Sequence, residues 1–333
     1  MTWTVGQKLH NGKYVIEKEL GRRRFGITYL ATDEQGNKLI IETLNEDQIN
    51  SLTPSDRDSL KCKFVDEARK LECCKHRHIV GVDKTFIEGQ LFCLALEYIR
   101  GDTLASLTQK ALSEQEALDY IQQVGKGLIE LHTQGLLHQN IKPENIIVRG
   151  DRYEAVLIDF NLAADFEHLL SFHSLNEPFA PLELNCEKMP RGACTDVYSL
   201  AATLYRLLTG QYPTNALDRQ QGKADLIPPK VINPRLSRRV NDAIMKGMRL
   251  EPDTRPQTMQ EWLDLLGLKP STSISWFKAN AGTVWTVFGT LAGLLVTLVA
   301  LGVYVKLSLP PSQQETPSDT PTSQVEPIEP NKP

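Results

Sequence analysis

Apolar and polar residues alternate through the first fifty positions, so that Tyr14-Val15-Ile16, Leu20 to Ala31 and Lys38 to Leu44 each read as strands divided by turns. From Leu112 to Gln134 the spacing lengthens to that of an amphipathic helix. A third pattern closes the chain: Val284 to Val305 is strongly apolar, and no charge occurs between Ala279 and Val305. At 1.5 Å per residue that run spans roughly 33 Å, the depth of a bilayer core. Trp285 and Tyr304 stand at its ends, where amphipathic rings favour the headgroup boundary, and Lys278 and Lys306 bracket it. A helix apolar all round has no face to turn to water, so the pattern predicts one transmembrane helix over 284–305 rather than a buried soluble one. Gly289 and Gly293 are spaced for a helix–helix contact, a candidate dimer face. Residues 306–333 are rich in Pro, Ser, Thr and Glu and predict a disordered tail.

Composition narrows the compartment more than the chemistry. Across 333 residues, 37 basic and 41 acidic side chains leave a net charge of −4, which predicts no nucleic-acid partner. All six cysteines precede residue 195, and none has the paired spacing of a structural zinc site, so reduced thiols are expected. The opening M-T-W-T-V-G-Q-K-L-H lacks the apolar core of a signal peptide. Together these predict a cytoplasmic N-terminal domain, a juxtamembrane linker over 269–283, a single pass through the cell membrane, and a short tail on the opposite side.

The chemistry is concentrated in L-H-Q-N-I-K-P-E-N-I-I-V, residues 137 to 148, and in I-D-F-N-L-A from Ile158. These resemble the catalytic loop, H-R-D-x-K-P-x-N, and the metal-binding turn, D-F-G, of Ser/Thr protein kinases. The resemblance implies that His138 packs beneath the turn beside Phe160, that Lys142 meets the γ-phosphate, and that Asn145 and Asp159 hold Mg²⁺. It also implies what is missing. Asn140 stands where the catalytic base belongs, Gln139 replaces its arginine neighbour, and Asn161 replaces the glycine of the turn. An amide cannot take a proton from a hydroxyl near neutral pH, and loss of a general base removes roughly two to four orders of magnitude in rate.

Upstream, L-G-R-R-R-F-G-I-T-Y-L-A resembles the glycine-rich phosphate loop, with Gly21 and Gly26 at its outer glycines and Arg23 at the middle one. K-L-I-I-E-T-L-N resembles the strand of the phosphate-holding lysine, whose place falls to Glu42. Its usual partner is matched by Glu67, in F-V-D-E-A-R-K-L. Two such carboxylates about 4 Å apart repel by roughly 4 kcal/mol at an effective dielectric near 20. Three outcomes fit: an outward swing of the helix, a protonated carboxyl, or a cation between them. One of Arg22, Arg23 and Arg24 bridging Glu42, Glu67 or Asp159 is a candidate for the last, against a solvated basic turn. Leu96, Glu97 and Ile99 resemble the adenine-facing hinge, with Ile40 narrowing the slot.

F-A-P-L-E, T-D-V-Y-S-L-A-A-T-L-Y-R-L-L-T-G and D-T-R-P resemble landmarks of the kinase large lobe. The resemblance assigns Asp196 to anchoring the catalytic loop and pairs Glu183 with Arg255. F-G-I-T-Y-L-A and S-L-A-A-T-L-Y-R-L-L-T-G-Q-Y-P look most like bacterial, particularly cyanobacterial, kinases. The expected fold is therefore α+β and bilobal over residues 12–268, a β-rich small lobe followed by a helical large one. The expected function is that of a membrane-anchored pseudokinase, a regulatory module binding another kinase, a substrate or a membrane complex. ATP and Mg²⁺ binding is expected to be weakened. An atypical kinase with a relocated cation, or an ATP sensor without transfer, are the alternatives.

Overall fold

Alternating side chains give the first sheet two different faces. In the computed structural model, which describes residues 3–22, 25–108, 110–150, 153–160, 177–186 and 189–268, this sheet has six antiparallel strands. They are β1 (Lys8–Leu9), β2 (Tyr14–Arg22), β3 (Gly26–Asp33), β4 (Lys38–Leu44), β5 (Val82–Glu88) and β6 (Leu91–Glu97), in the order β1-β2-β3-β4-β6-β5. On one face Tyr14, Ile16, Ile27, Tyr29, Leu39, Ile41 and Cys93 form a core of their own, joined by Trp3. The Trp3 and Tyr29 rings lie 5.1 Å apart. Residues 3–9, ahead of the position where the strand pattern begins, thus cover a sheet face that would otherwise be apolar and wet.

The opposite face belongs to the main core. Because side chains alternate along a strand, Ile40 and Glu42 of β4 share a face, and it is the one that Leu39 and Ile41 avoid. Helix α1 (Glu46–Ile49) leads into α2 (Pro54–Cys73). Thr53 caps α2 by accepting from the Asp56 amide, and Pro54 follows at the first helical position, where no amide hydrogen is needed. Leu60, Phe64, Ala68 and Leu71 give α2 its buried stripe.

The large lobe begins with β7 (Gly101–Thr103) and α3 (Leu104–Leu107), followed by α4 (Glu114–Thr133). A capping box of Ser113 and Glu116 starts α4. Strands β8 (Ile146–Arg149) and β9 (Glu154–Leu157) complete a second sheet, ordered β7-β8-β9. The central helix α5 (Ala193–Thr209) is buried along nearly its whole length and ends on Gly210, whose φ of 70° favours a residue without Cβ. Around it stand α6 (Ala216–Gln220), α7 (Pro229–Ile232), α8 (Arg238–Gly247) and α9 (Met259–Leu265). Gly247 lets α8 approach closely, since a Cβ there would lie 2.8 Å from both Ala201 Cβ and Trp262 Nε1.

The observed architecture is bilobal α+β. All six cysteines are unpaired, and burial pushes the Cys74 thiol up to about 11, which leaves it unreactive near neutrality. Among the described residues no helix is long and apolar enough to cross a membrane. The segment 284–305, Gly289 and Gly293, and the tail 306–333 lie outside the described residues.

Candidate functional site

Between the lobes lies a cavity of about 320 Å³. Strands β2, β3 and β4 contribute Leu20, Gly21, Thr28, Ile40 and Glu42 from above. The end of β6 contributes Leu96 and Glu97 and the connection after it Tyr98 and Ile99, and Ile147, Ile158 and Asp159 close the floor. Register places Ile40 opposite Leu96 and Glu42 opposite Leu94. Leu96 and Ile99 are buried, whereas Glu97 is more exposed and pairs with Arg149 at 2.8 Å. The cavity thus gathers Gly21, Leu96, Glu97, Ile99 and Asp159 of the candidate cofactor residues. Gly26 instead pairs with Leu44 inside the sheet, and Lys142 forms an ion pair with Glu177 at 3.6 Å; neither lines the cavity.

Below the cavity the loop before β8 is built around buried Asp196. Its carboxylate accepts the amide hydrogens of His138 and Gln139, each at 2.9 Å, and the Nε2 hydrogen of His132 at 2.8 Å. Burial alone would raise this acid, but the His132 hydrogen bond and the histidine and amide donors win, and it stays ionised below its ordinary range. They also hold Gln139 at a φ of 58°, a left-handed conformation a glutamine rarely adopts. His138 donates from Nε2 to the Ile158 carbonyl at 3.0 Å, so Nδ1 is the acceptor for the Asn140 amide at 3.3 Å. Its ring lies 4.4 Å from that of Phe160.

Asn140 turns its amide nitrogen toward Asp159. Its side-chain Nδ2 donates to the Asp159 carbonyl at 3.0 Å and to Asp159 Oδ2 at 3.2 Å. Both partners are acceptors, which fixes the orientation of the amide. Asn145, buried, donates from its own Nδ2 to the Asn140 carbonyl at 2.8 Å. The group at the base position therefore serves as a donor to the group at the metal position.

Glu42 and Glu67 have different surroundings. Glu42 faces the cavity; Glu67, on α2, does not line it and has Lys63 at 4.0 Å. Burial raises the Glu67 carboxyl to about 7, only partly offset by Lys63 and Lys70, so a protonated carboxyl is populated near neutrality. Arg22 makes a 2.7 Å ion pair with Glu19, on its own strand. Arg23, Arg24 and Asn161 lie outside the described residues.

One contact had no forerunner in the sequence motifs. Arg191 donates from Nη1 to the Gln139 side-chain oxygen at 2.9 Å, and from Nε and Nη2 to the carbonyls of Glu183 and Leu184 at 3.2 and 3.3 Å. In the large-lobe core, Arg255 makes a two-pronged pair with Glu183 at 2.5 and 3.0 Å, and neither side chain has any exposure.

A magnesium-bound nucleoside triphosphate fits these residues poorly. The cavity walls suit a flat ring, but the charged side chains lining it are Glu42, Glu97 and Asp159, and no described lining residue is a cation. Among the described residues no group of three or more acids, histidines or cysteines is arranged to hold a metal.

The protein kinase domain family matches residues 14–264. A probable serine/threonine-protein kinase of Clostridium perfringens is 27% identical over 287 residues, covering 81% of this chain and 40% of that protein. The serine/threonine-protein kinase pkn2 of Myxococcus xanthus is 28% identical over 292 residues, covering 82% of this chain and 34% of its own. The chain thus spans two fifths or less of the length of these curated relatives. Among solved structures, the apo form of PpkA-294 superimposes with a TM-score of 0.65 at 24% identity, covering 80% of this chain and 99% of that one. The kinase domain of Mycobacterium tuberculosis PknI gives 0.61 at 20% identity, with 80% and 99% covered. These likenesses carry the fold.

Proposed function

Because the chain belongs to the protein kinase domain family yet holds Asn140 and Glu42 where that family's chemistry needs a base and a cation, we propose that it is a pseudokinase, a binding and regulatory module with little or no phosphotransfer. The observation that carries this reading is the Asn140 side chain donating to Asp159. A proton acceptor is replaced by a donor, and that donor is engaged by the carboxylate that would otherwise bind metal. Glu42 works in the same direction, since phosphoryl transfer depends on positioning and on positive charge around the phosphates.

The uncharged run from Ala279 to Val305 supports a second part of the reading: segment 284–305 anchors the domain in a membrane, with the kinase-like part cytoplasmic. Gly289 and Gly293 then offer a face for pairing two copies. Partners are expected to be proteins, either another kinase, its substrate or a membrane complex, recognised by the kinase-shaped surface.

The test is labelling of generic peptide and protein substrates by purified full chain with γ-labelled ATP and Mg²⁺. Background incorporation is the expected result. Time-dependent transfer at rates ordinary for kinases, abolished in Asp159→Ala, defeats the proposal in favour of an atypical kinase. For the anchor, the chain is expected to stay with membranes through alkaline carbonate and to leave them when residues 284–333 are deleted. Carbonate release of the full chain rejects the anchor.

A further inference from the structure

The cavity between the lobes has a charge pattern that names a ligand class. Its walls are aliphatic: Leu20 and Ile40 above, Val80 and Leu96 behind, Ile147 and Ile158 below. Among the described lining residues the charged side chains, Glu42, Glu97 and Asp159, all have one sign. At the end of β6, Glu97 is engaged by Arg149 at 2.8 Å. Beyond it, Glu42 projects from β4 on the same face as Ile40, and Asp159 rises from the floor at a φ of 68°. Apolar walls lower the local dielectric and strengthen the effect of both carboxylates on whatever enters.

We infer that this cavity takes a flat aromatic ligand bearing a positive charge, its rings between Ile40 and Ile147 or Ile158 and its cationic group directed at Glu42 and Asp159. The inference rests on the reading of the chain as a binding module and adds the chemistry of what is bound. A cavity of about 320 Å³ is at the small end of ligand sites and accommodates two or three fused rings. The proposal does not need Glu42 or Asp159 to be otherwise unengaged. A carboxylate offers about four acceptor positions, so a protein donor and a ligand cation can share it, as Asp159 already does with Asn140 on one side.

The opposite preference is equally explicit. A polyphosphate would bring negative charge against Glu42, which replaces a cation by an anion at one spot. Substitution at this position is therefore expected to reverse ligand choice, not merely weaken it.

The experiment compares 9-aminoacridine, a cation near pH 8, with acridine, its neutral counterpart, and with ADP in metal-free buffer. Binding to the purified full chain is followed by fluorescence titration and by the shift in melting temperature. The cation is expected to bind at least about tenfold more tightly than acridine, with ADP weakest. In Glu42→Gln the preference should fall to within about threefold, and Glu42→Lys should make ADP the better ligand. Asp159→Asn reads the second carboxylate independently, so a poorly folding Glu42 variant leaves the test standing. Equal binding of the two acridines, a preference that survives both neutralising substitutions, or ADP binding best to the unmodified chain overturns the inference. Phosphotransfer from labelled ATP would instead count against the pseudokinase reading, so the two failures are distinguishable.

Discussion

The side-chain amide of Asn140 and the carboxylate of Asp159 are joined by a hydrogen bond of 3.2 Å, with the Asp159 carbonyl taking the second amide hydrogen at 3.0 Å. The pair substitutes an attractive contact for two neighbouring acids. Restoring the acid alone should therefore be harmful. In Asn140→Asp both donors are lost and a like charge faces Asp159, so a stability loss of about 1–3 kcal/mol is expected in metal-free buffer. Urea denaturation measures it. Phosphotransfer should stay at background, because Glu42 still occupies the cation position; a single substitution that both stabilises the fold and restores transfer contradicts this account.

Gln139 and Arg191 show a second exchange. The family's basic residue at position 139 is absent, and a guanidinium arrives from the segment before α5 to meet the glutamine oxygen. Burial holds the Arg191 pKa below its ordinary value, although the Glu183 and Glu67 charges partly restore it. Reinstating the family residue as Gln139→Arg would oppose two guanidinium groups and should cost about 1–3 kcal/mol. Gln139→Glu, which turns the contact into an ion pair, should be neutral or stabilising. Melting curves of the two variants give the signs, and a stabilised Gln139→Arg would refute the pairing.

Most of this site can be read from sequence where a motif binds several residues in one stretch. Asp196, His138 and Asp159 fall in short signatures whose spacing fixes who meets whom, and the loop geometry follows from them. The rest depends on contacts between distant segments. Nothing in M-P-R-G marks Arg191 as the partner of a glutamine 52 residues earlier, because one arginine in a loop has no periodicity. The cover supplied by Trp3 is equally silent. Its ring meets Tyr29 across the sheet, and only the folded register of β2 and β3 makes that face available. The strand alternation that sends Glu42 into the cavity is legible, yet the separate surroundings of Glu42 and Glu67 depend on where α2 packs, which the strand pattern does not specify.

The Glu183–Arg255 pair tests whether the large lobe depends on a buried charge. Both side chains have 0% exposure, and Arg255 also donates to the carbonyls of Arg249, Leu250 and Cys194. Removing one partner strands the other charge in a dry interior. Arg255→Ala should therefore cost about 3–5 kcal/mol. Arg255→Lys should recover little, since a single ammonium cannot reproduce the two-pronged geometry and three carbonyl contacts. Equilibrium unfolding of the two variants decides, and a lysine variant as stable as the parent would show that charge alone suffices.

Glu67 gives the fold a dependence on pH whose sign is unambiguous. Burial, opposed by Lys63, lifts its carboxyl from 4.5 to about 7 in the folded chain. The folded state therefore holds this proton where the unfolded state has released it, and stability from this group falls as pH rises from about 4.5 to about 7. A shift of that size corresponds to about 3 kcal/mol at most, and the side chain's residual 16% exposure brings the expectation nearer 2. Half-buried His76 and buried His78, whose pKa values desolvation lowers, act oppositely by destabilising the fold as pH drops below about 6.5. Total stability thus mixes the two trends, and the informative quantity is the difference between the parent and Glu67→Gln. That variant cannot ionise, so its advantage over the parent should grow between about pH 5 and pH 8 and level off above. Paired urea titrations across this range measure the difference. A constant offset with pH would mean that Glu67 is ionised throughout, in keeping with a stronger cationic partner than Lys63.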